Sequence, residues 1–333
     1  MPGADYRIET ARGDDERAVR MAGEIREGLT ASPRWLPSKY FYDDRGSRLF
    51  EDITTLPEYY QTRTEEHLLA EIAGEVVERV HPAELVELGS GAGRKTRLLL
   101  AAMARAGRLE RCLLLDINPL FLSESTRTLA REFPGLSARG VVGDFLDDLH
   151  LLGPGGGRLA ALFAGTIGNV HPAQVPAFLA RMAEQLAPGD GFLVGVDLVK
   201  DVGRLEAAYN DAAGVTAEFN RNILRVLNDR LGADFDPEAF EHVAFYDPAN
   251  AWIEMRLRAS RSQRVRIPAA SLDLTFETGE EIRTEISCKY TRASFASLLP
   301  GSGLDVDRWY TDPEHLFALA LLRRRTSDDG RPR

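Results

Sequence analysis

Residues 87–96 read ELGSGAGRKT. Two ligand-binding patterns overlap in this stretch. Its tail, Gly93-Arg94-Lys95-Thr96, approaches the end of a P-loop, G-x-x-x-x-G-K-[ST]. Arg94 separates Gly93 from Lys95, so the lysine is one position out of register, which argues against an NTPase. A dinucleotide fingerprint wants G-x-G-x-x-G. Here Gly89, Gly91 and Gly93 follow Glu87 with the spacing G-x-G-x-G. Glycines so placed let the chain turn sharply off a strand end and let a ligand approach the backbone. The helix that follows offers its N-terminus to an anion, and a carboxylate suits it as well as a pyrophosphate.

Outward from this turn the sequence alternates between two periods. Apolar runs predict strands over 84–88, 111–116, 137–142, 158–163 and 191–199. Helical patterns fall between them, over 96–106, 119–133 and 176–185, with another over 64–80 ahead of the first strand. Strands alternating with helices imply parallel βαβ units. The alternation stops near residue 200. Residues 203–231 read as helical, and four strands are expected over 252–259, 264–267, 272–277 and 281–290. Thr278-Gly279 suggests that the last two form a hairpin. A helix over 291–299 and strands over 304–310 and 315–322 close the pattern. Ahead of all this, 17–30 reads as a helix, and 33–63 is too dense in aromatics, prolines and turn formers to be one regular element. Residues 1–16 and 324–333 are expected to be disordered tails.

Bulk properties narrow the partners. The chain has 333 residues with 44% hydrophobic and 28% charged content, as in an ordinary soluble globular protein of about two domains. The N-terminus lacks the basic-then-apolar order of a signal peptide. No run approaches the ~18 apolar residues of a membrane span. The formal net charge of −10 disfavours nucleic acid, which needs a basic surface. The six histidines are scattered, and no HxxxH or CxxC spacing offers a metal site. Two cysteines, Cys112 and Cys288, are too few for a disulfide framework and are read as core. These features predict a cytoplasmic monomer acting on a small molecule, without metal, membrane or nucleic acid.

Residues at the other strand ends extend the glycine turn. Asp116 closes the strand RCLLLD, where an acid can accept ribose hydroxyl protons. Gly143-Asp144-Phe145 follows the third strand, where a carboxylate can meet an adenine amino group with the ring alongside. Residues 163–169, FAGTIGN, follow the fourth. Either aspartate alone could be a simple helix N-cap, but four such stretches in order at the binding edge of an open α/β sheet point to a ligand. Three alternate glycines after an acid, and a doubly wound sheet ending on two adjacent strands, resemble the class I S-adenosylmethionine-dependent methyltransferases. The fold class expected is therefore α/β, a Rossmann-like doubly wound sheet with an antiparallel C-terminal hairpin and an inserted α+β domain. The core would comprise 64–199 and 289–323, and the substrate-binding domain 17–63 and 200–288.

The resemblance narrows further. LPSKYFYDDRGSRLFEDITTLPEYYQTRTEEHLL (36–69), TIGN (166–169), YNDAAGVTAEFNRNIL (209–224) and EIRTEISCKY (281–290) lie outside the general motif. Over about residues 20–322 the chain resembles the L-histidine Nα-methyltransferases of ergothioneine biosynthesis. That likeness implies a cofactor, S-adenosylmethionine, held by Gly89, Lys95, Asp116, Asp144 and Phe145. It implies Tyr59, Asn169 and Tyr209 at the substrate carboxylate, Glu285 and Ser287 at the imidazole with Met255 nearby, and Tyr42 as the catalytic residue beside the reacting amine. The product would be the trimethylated betaine hercynine. One departure is Ala164, where the family usually has glycine.

The residues support part of this independently. Strand side chains alternate faces, so Glu285 and Ser287 project the same way. Neutral imidazole carries one N–H donor and one bare acceptor, which a carboxylate and a hydroxyl complement. A polar, solvated strand face would carry the same residues. The tyrosines are ordinary packing for a small domain, or partners of ammonium and sulfonium charge. Two rival functions stay open on sequence alone: the same chemistry on another amino acid such as tryptophan, and a non-enzymatic module that binds S-adenosylmethionine.

Overall fold

A computed structural model describes residues 5–325. Along the chain, β1 (Tyr6–Thr10) and α1 (Asp14–Thr30) lead to the short β2 (Arg34–Trp35), α2 (Asp44–Thr55) and α3 (Tyr60–Val80). Then come β3 (Glu84–Leu88), α4 (Arg94–Arg105), β4 (Arg111–Asp116), α5 (Pro119–Glu132), β5 (Ser137–Val142), β6 (Arg158–Leu162), α6 (Val175–Glu184) and β7 (Gly191–Asp197). Two helices follow, α7 (Val202–Ala207) and α8 (Val215–Leu231). Five strands come next, β8 (Phe240–Asp247), β9 (Trp252–Ala259), β10 (Gln263–Ile267), β11 (Leu272–Phe276) and β12 (Glu281–Cys288). The chain ends on α9 (Arg292–Ala296), β13 (Leu304–Thr311) and β14 (Phe317–Arg324). Residues 326–333 of the expected C-terminal tail, and 1–4 of the N-terminal one, lie outside the described residues.

The chain divides into two compact units. The first comprises residues 5–11, 61–199 and 289–325, and the second 12–60 and 200–288, among those described.

The first unit is built on one sheet of order β1-β5-β4-β3-β6-β7-β14-β13. Its strands run parallel except β14, which pairs antiparallel with both β7 and β13. After the edge strand β1, the chain re-enters the middle of the sheet at β3, steps outward through β4 and β5, and then returns to the other side of β3 at β6. That reversal makes a crevice at the strands' carboxyl ends, where open α/β sheets bind ligands. Every residue of β6 and β7 is buried, as expected of parallel strands covered on both faces. One face packs Leu69 and Val76 of α3 and Leu99, Leu100 and Met103 of α4 against Leu85, Leu114, Leu159 and Leu193. Each such side chain contributes about 1.5–3 kcal/mol on burial. At the opposite strand ends, fully buried Arg158 pairs with Glu84 at 2.7 Å and donates to the carbonyls of Leu152, Gly153 and Gln185.

Residues 6–10 correct an expectation. They form β1, paired parallel to β5, and not a frayed tail. Tyr6 and Ile8 remain exposed, so the strand is held by backbone pairing and the Arg139–Glu9 bridge (2.6 Å) and leaves little hydropathic trace.

The second unit holds a four-stranded sheet of order β2-β12-β9-β8 and a separate ribbon of β10 and β11. The expected hairpin between the strands flanking Thr278-Gly279 does not form. Instead β11 pairs back with β10, and β12 pairs with β9 and β2. The turn explains the switch: the Gly279 N–H donates to the Ala259 carbonyl (2.8 Å), and the Ala259 N–H to the Glu280 carbonyl (2.9 Å). The backbone is thereby registered on β9 before β12 begins. The helical stretch expected over 203–231 is also two helices. Asp211 accepts from the Val215 and Thr216 N–H groups at 2.9 and 2.8 Å and, with left-handed Gly214, starts α8 afresh. Cys112 and Cys288 are both buried.

Candidate active site

The glycine turn leaves β3 with three left-handed residues, Gly89 (φ 74°), Gly91 (φ 47°) and Gly93 (φ 69°), the last capping α4. Side chains rarely adopt this backbone. A Cβ added at Gly89 or Gly91 would meet nothing within 4 Å, so both look onto open space that a ligand can fill. Asp116, at the end of the neighbouring β4, ties itself to this turn. One carboxylate oxygen accepts the Gly91 N–H at 3.0 Å and the other the Asn118 N–H at 2.9 Å. It is not the cap of α5: Asn118 fills that place, accepting from the Leu120 and Phe121 N–H groups. Burial raises the Asp116 pKa, against the backbone N–H groups that favour its charge. At the end of β5, Asp144 accepts from the Leu146 N–H at 2.9 Å. The Phe145 ring stands edge-on to Phe178 of α6, 5.8 Å between centroids. The sheet thus gathers Gly89, Asp116, Asp144 and Phe145 on three adjacent strand ends.

Lys95 lies in the first turn of α4, and its ammonium pairs with Glu65 of α3. Glu65 is fully buried and also accepts the Ala164 N–H at 2.8 and 3.1 Å through its two oxygens. Burial raises the Glu65 pKa, with Lys95 and the Ala164 N–H opposing. Glu87 is raised well above the usual carboxylate range by burial and by the like charges of Glu65 and Asp116, with Lys95 opposing. The Thr96 hydroxyl donates to it. Ala164 has φ 61° and Gly165 φ 64°, and together they launch the 3-10 turn Thr166–Asn169. The departure at Ala164 therefore falls on a left-handed backbone, the conformation that glycine tolerates best. Asn169 ends that turn after β6.

Two side chains here were missed in the sequence. Glu65 stands in TRTEEHLL, where a charge reads as a solvated helix face. Gln61, one helical turn earlier, is 2% exposed, and neither of its amide atoms has a partner among the described residues.

The remaining candidates belong to the second unit. Tyr42 is fixed between the 3-10 turn Ser38–Phe41 and α2, whose cap Asp43 accepts the Gly46 N–H at 2.7 Å. Gly46 must lack a side chain, because a Cβ would come 1.7 Å from the Phe41 carbonyl oxygen. The Tyr42 ring packs edge-on against Phe50 (5.7 Å) and Phe219 (5.5 Å), and Phe50 packs against Tyr59 (6.1 Å). Tyr42 and Tyr59 therefore share one aromatic cluster. The Tyr209 hydroxyl donates to Ser287 Oγ at 2.8 Å. Glu285 sits opposite Met255 across the β12–β9 pair. A bulge at Thr284 precedes them, its hydroxyl donating to Asn220 of α8 at 2.6 Å. Pairing is regular from Glu285 onward, so Glu285 and Ser287 share a face.

His242 of β8 fixes the backbone of Tyr209. Its Nδ1 is placed to accept from Asn220 and its Nε2 to donate to the Tyr209 carbonyl, both at 2.8 Å. Burial holds its pKa below the ordinary 6.5, with Arg221 adding to the effect and the Tyr209 carbonyl opposing. The unfolded chain then binds more protons than the fold as pH drops. The stabilisation is complete above the unfolded pKa and is lost as pH falls toward the depressed folded value. The melting temperature is expected to decline between pH 7.5 and 5.5, and less steeply in His242→Gln. Equal slopes for the two proteins contradict this reading.

Among the described residues no helix is long and apolar enough to cross a membrane, and no group of His, Cys, Asp and Glu could hold a metal. The strand order, the closing antiparallel pair and the glycine turn with its acids define a class I S-adenosylmethionine-dependent methyltransferase. A family described as histidine-specific, SAM-dependent methyltransferases matches residues 21–324. A histidine N-alpha-methyltransferase of Mycolicibacterium smegmatis is 46% identical over 310 residues, covering 93% of this chain and 97% of that one. One of Mycobacterium tuberculosis is 44% identical over 312 residues, covering 94% and 97%. Ergothioneine biosynthesis protein 1 of Neurospora crassa is 31% identical over 346 residues, covering 95% of this chain and 37% of that protein. The chain belongs to the histidine-specific, S-adenosylmethionine-dependent methyltransferase family. It is an enzyme, and S-adenosylmethionine is its co-substrate.

Proposed function

We propose that the enzyme transfers three methyl groups in turn to the α-amine of L-histidine, giving hercynine, the first step of ergothioneine biosynthesis. The observation that carries the histidine assignment is the polar pair on β12, Glu285 facing Met255 and Ser287 bonded to Tyr209. The Tyr209 hydroxyl donates a hydrogen bond to Ser287, which leaves the serine's own proton to be donated in turn. A carboxylate that accepts and a hydroxyl that donates match the two nitrogens of neutral imidazole.

Residues 64–199 and 289–323 are read as the cofactor-binding domain, and 17–63 and 200–288 as the substrate-binding domain. The open space at Gly89 and Gly91 and the acceptors Asp116 and Asp144 fit the amino-acid and nucleoside parts of S-adenosylmethionine, with Phe145 beside the adenine and Lys95 at the methionine carboxylate. When bound, it supplies an activated methyl for in-line displacement. The chain's own contribution is to present a neutral amine on the methyl axis, which converts a bimolecular step into a positioned one. Tyr59, Asn169 and Tyr209 are assigned to the substrate carboxylate, with the Tyr209 hydroxyl turning its proton from Ser287 to the carboxylate on binding. Tyr42 is assigned to the amine, which must lose a proton before each transfer, with solvent or a water held by Tyr42 taking it. Because positive charge passes from sulfur to nitrogen, no new anion needs stabilising.

The enzyme is taken to be a cytoplasmic monomer without nucleic-acid or membrane partners. The net charge of −10 and the burial of both cysteines support this. A time course of histidine with S-adenosylmethionine, read by mass spectrometry, tests the reaction. One, two and then three added methyls are expected, with the third accumulating. A product that stops at one methyl, or unmodified histidine, contradicts it.

A further inference from the structure

We propose that Glu65 is a positioning residue for the cofactor, acting through Lys95. This rests on the assignment of Lys95 to the methionine carboxylate. Three observations in the first unit support it. Glu65 is completely buried, yet it is an acid, and a buried charge is tolerated only when paired and hydrogen-bonded. Its partners are the Lys95 ammonium and the Ala164 N–H, so one carboxylate joins the helix after the glycine turn to the loop after β6. The fold also clears a seat for it. Gly195 interrupts the apolar strand β7, and a Cβ there would come 2.1 Å from a Glu65 carboxylate oxygen. Glycine inside a strand weakens it and marks a close approach, here that of Glu65.

A buried ion pair is a poor way to gain stability, since apolar residues of similar volume do as well. What the pair adds is the placement of an ammonium. A lysine head on a four-carbon stem is a mobile point charge with three donors. Glu65 takes one donor and holds the head still, leaving the others for an incoming carboxylate. Ordering this side chain before binding removes a cost that the cofactor would otherwise bear.

Calorimetric titration of the full-length protein with S-adenosylhomocysteine tests this in a double-mutant cycle of Glu65→Gln and Lys95→Met. Glutamine keeps the shape and one acceptor oxygen for Ala164 or the lysine, but it loses the negative charge that pairs with the ammonium. Glu65→Gln is expected to weaken binding about tenfold in the wild-type background and less than about twofold on top of Lys95→Met, the signature of one residue acting through another. If Lys95→Met leaves affinity unchanged, the assignment of Lys95 to the cofactor fails. If Lys95→Met weakens binding but Glu65→Gln does not, or costs the same in both backgrounds, Glu65 is merely structural and the proposal is overturned while the Lys95 assignment stands. Gly195→Ala keeps the acid but pushes its carboxylate aside, and must lower affinity in the same lysine-dependent way. Unchanged affinity in that variant also overturns the proposal.

Discussion

Glu285→Ala is expected to raise KM for histidine by about two orders of magnitude, with S-adenosylhomocysteine affinity within about twofold of wild type. A hydrogen bond to a charged group contributes about 1.5–3 kcal/mol, and removing the carboxylate also leaves the imidazole N–H unpaired. Glu285 is the acid facing Met255 on the strand that also carries Ser287. The residues assigned to the cofactor belong to the other unit, which predicts the separation of the two effects. Glu285→Gln retains an acceptor for the imidazole N–H and loses only the charge, so it is expected to fall between the two. If histidine KM is unchanged in Glu285→Ala, the imidazole assignment is wrong, whatever happens to the cofactor.

Asp116→Ala is expected to weaken S-adenosylhomocysteine binding by at least about a hundredfold. Its carboxylate oxygens accept the Gly91 and Asn118 N–H groups, so it shapes the glycine turn in addition to the ribose role assigned to it. Hydrogen bonds to a charged group contribute about 1.5–3 kcal/mol each, and two bonds to ribose hydroxyls alone account for the expected loss. Asp116→Asn keeps one acceptor and should retain more of the turn. Calorimetric affinity is the measurement, with the melting temperature as a check on folding. Binding within about threefold of wild type in Asp116→Ala would remove Asp116 from the cofactor site.

The legible parts of the fold were those buried on both sides. Strands β3, β4, β5 and β9 were read to the residue because parallel or central strands are apolar runs bounded by turns. β1 was missed because an edge strand with exposed Tyr6 and Ile8 owes its place to backbone pairing. β8 was missed too, since most of its residues are only half-buried and its hydrophobic pattern is weak. The failed hairpin has a different cause: Thr278-Gly279 does turn the chain, but a local signal cannot say which strand the turn is registered on.

Legibility of the site divided in the same way. The glycine turn and the two aspartates announce themselves by spacing, and the structure gives all three glycines left-handed backbones. Glu65 could not be found so, because helical sequences full of charge give no sign of which one is buried. Only Gly195, across the sheet in β7, shows that a seat exists for it. The bond between Tyr209 and Ser287, 78 positions apart, depends on the β8–β9–β12 sheet and the His242 contact, and no local pattern carries it.

The decisive measurement is mass spectrometry of the purified protein incubated with S-adenosylmethionine and each of the twenty amino acids. Three methyls added to histidine, with the other nineteen unmodified, is the predicted result. Methylation of another amino acid, tryptophan for example, in place of histidine would keep the cofactor half of the site and contradict the roles given to Glu285 and Ser287.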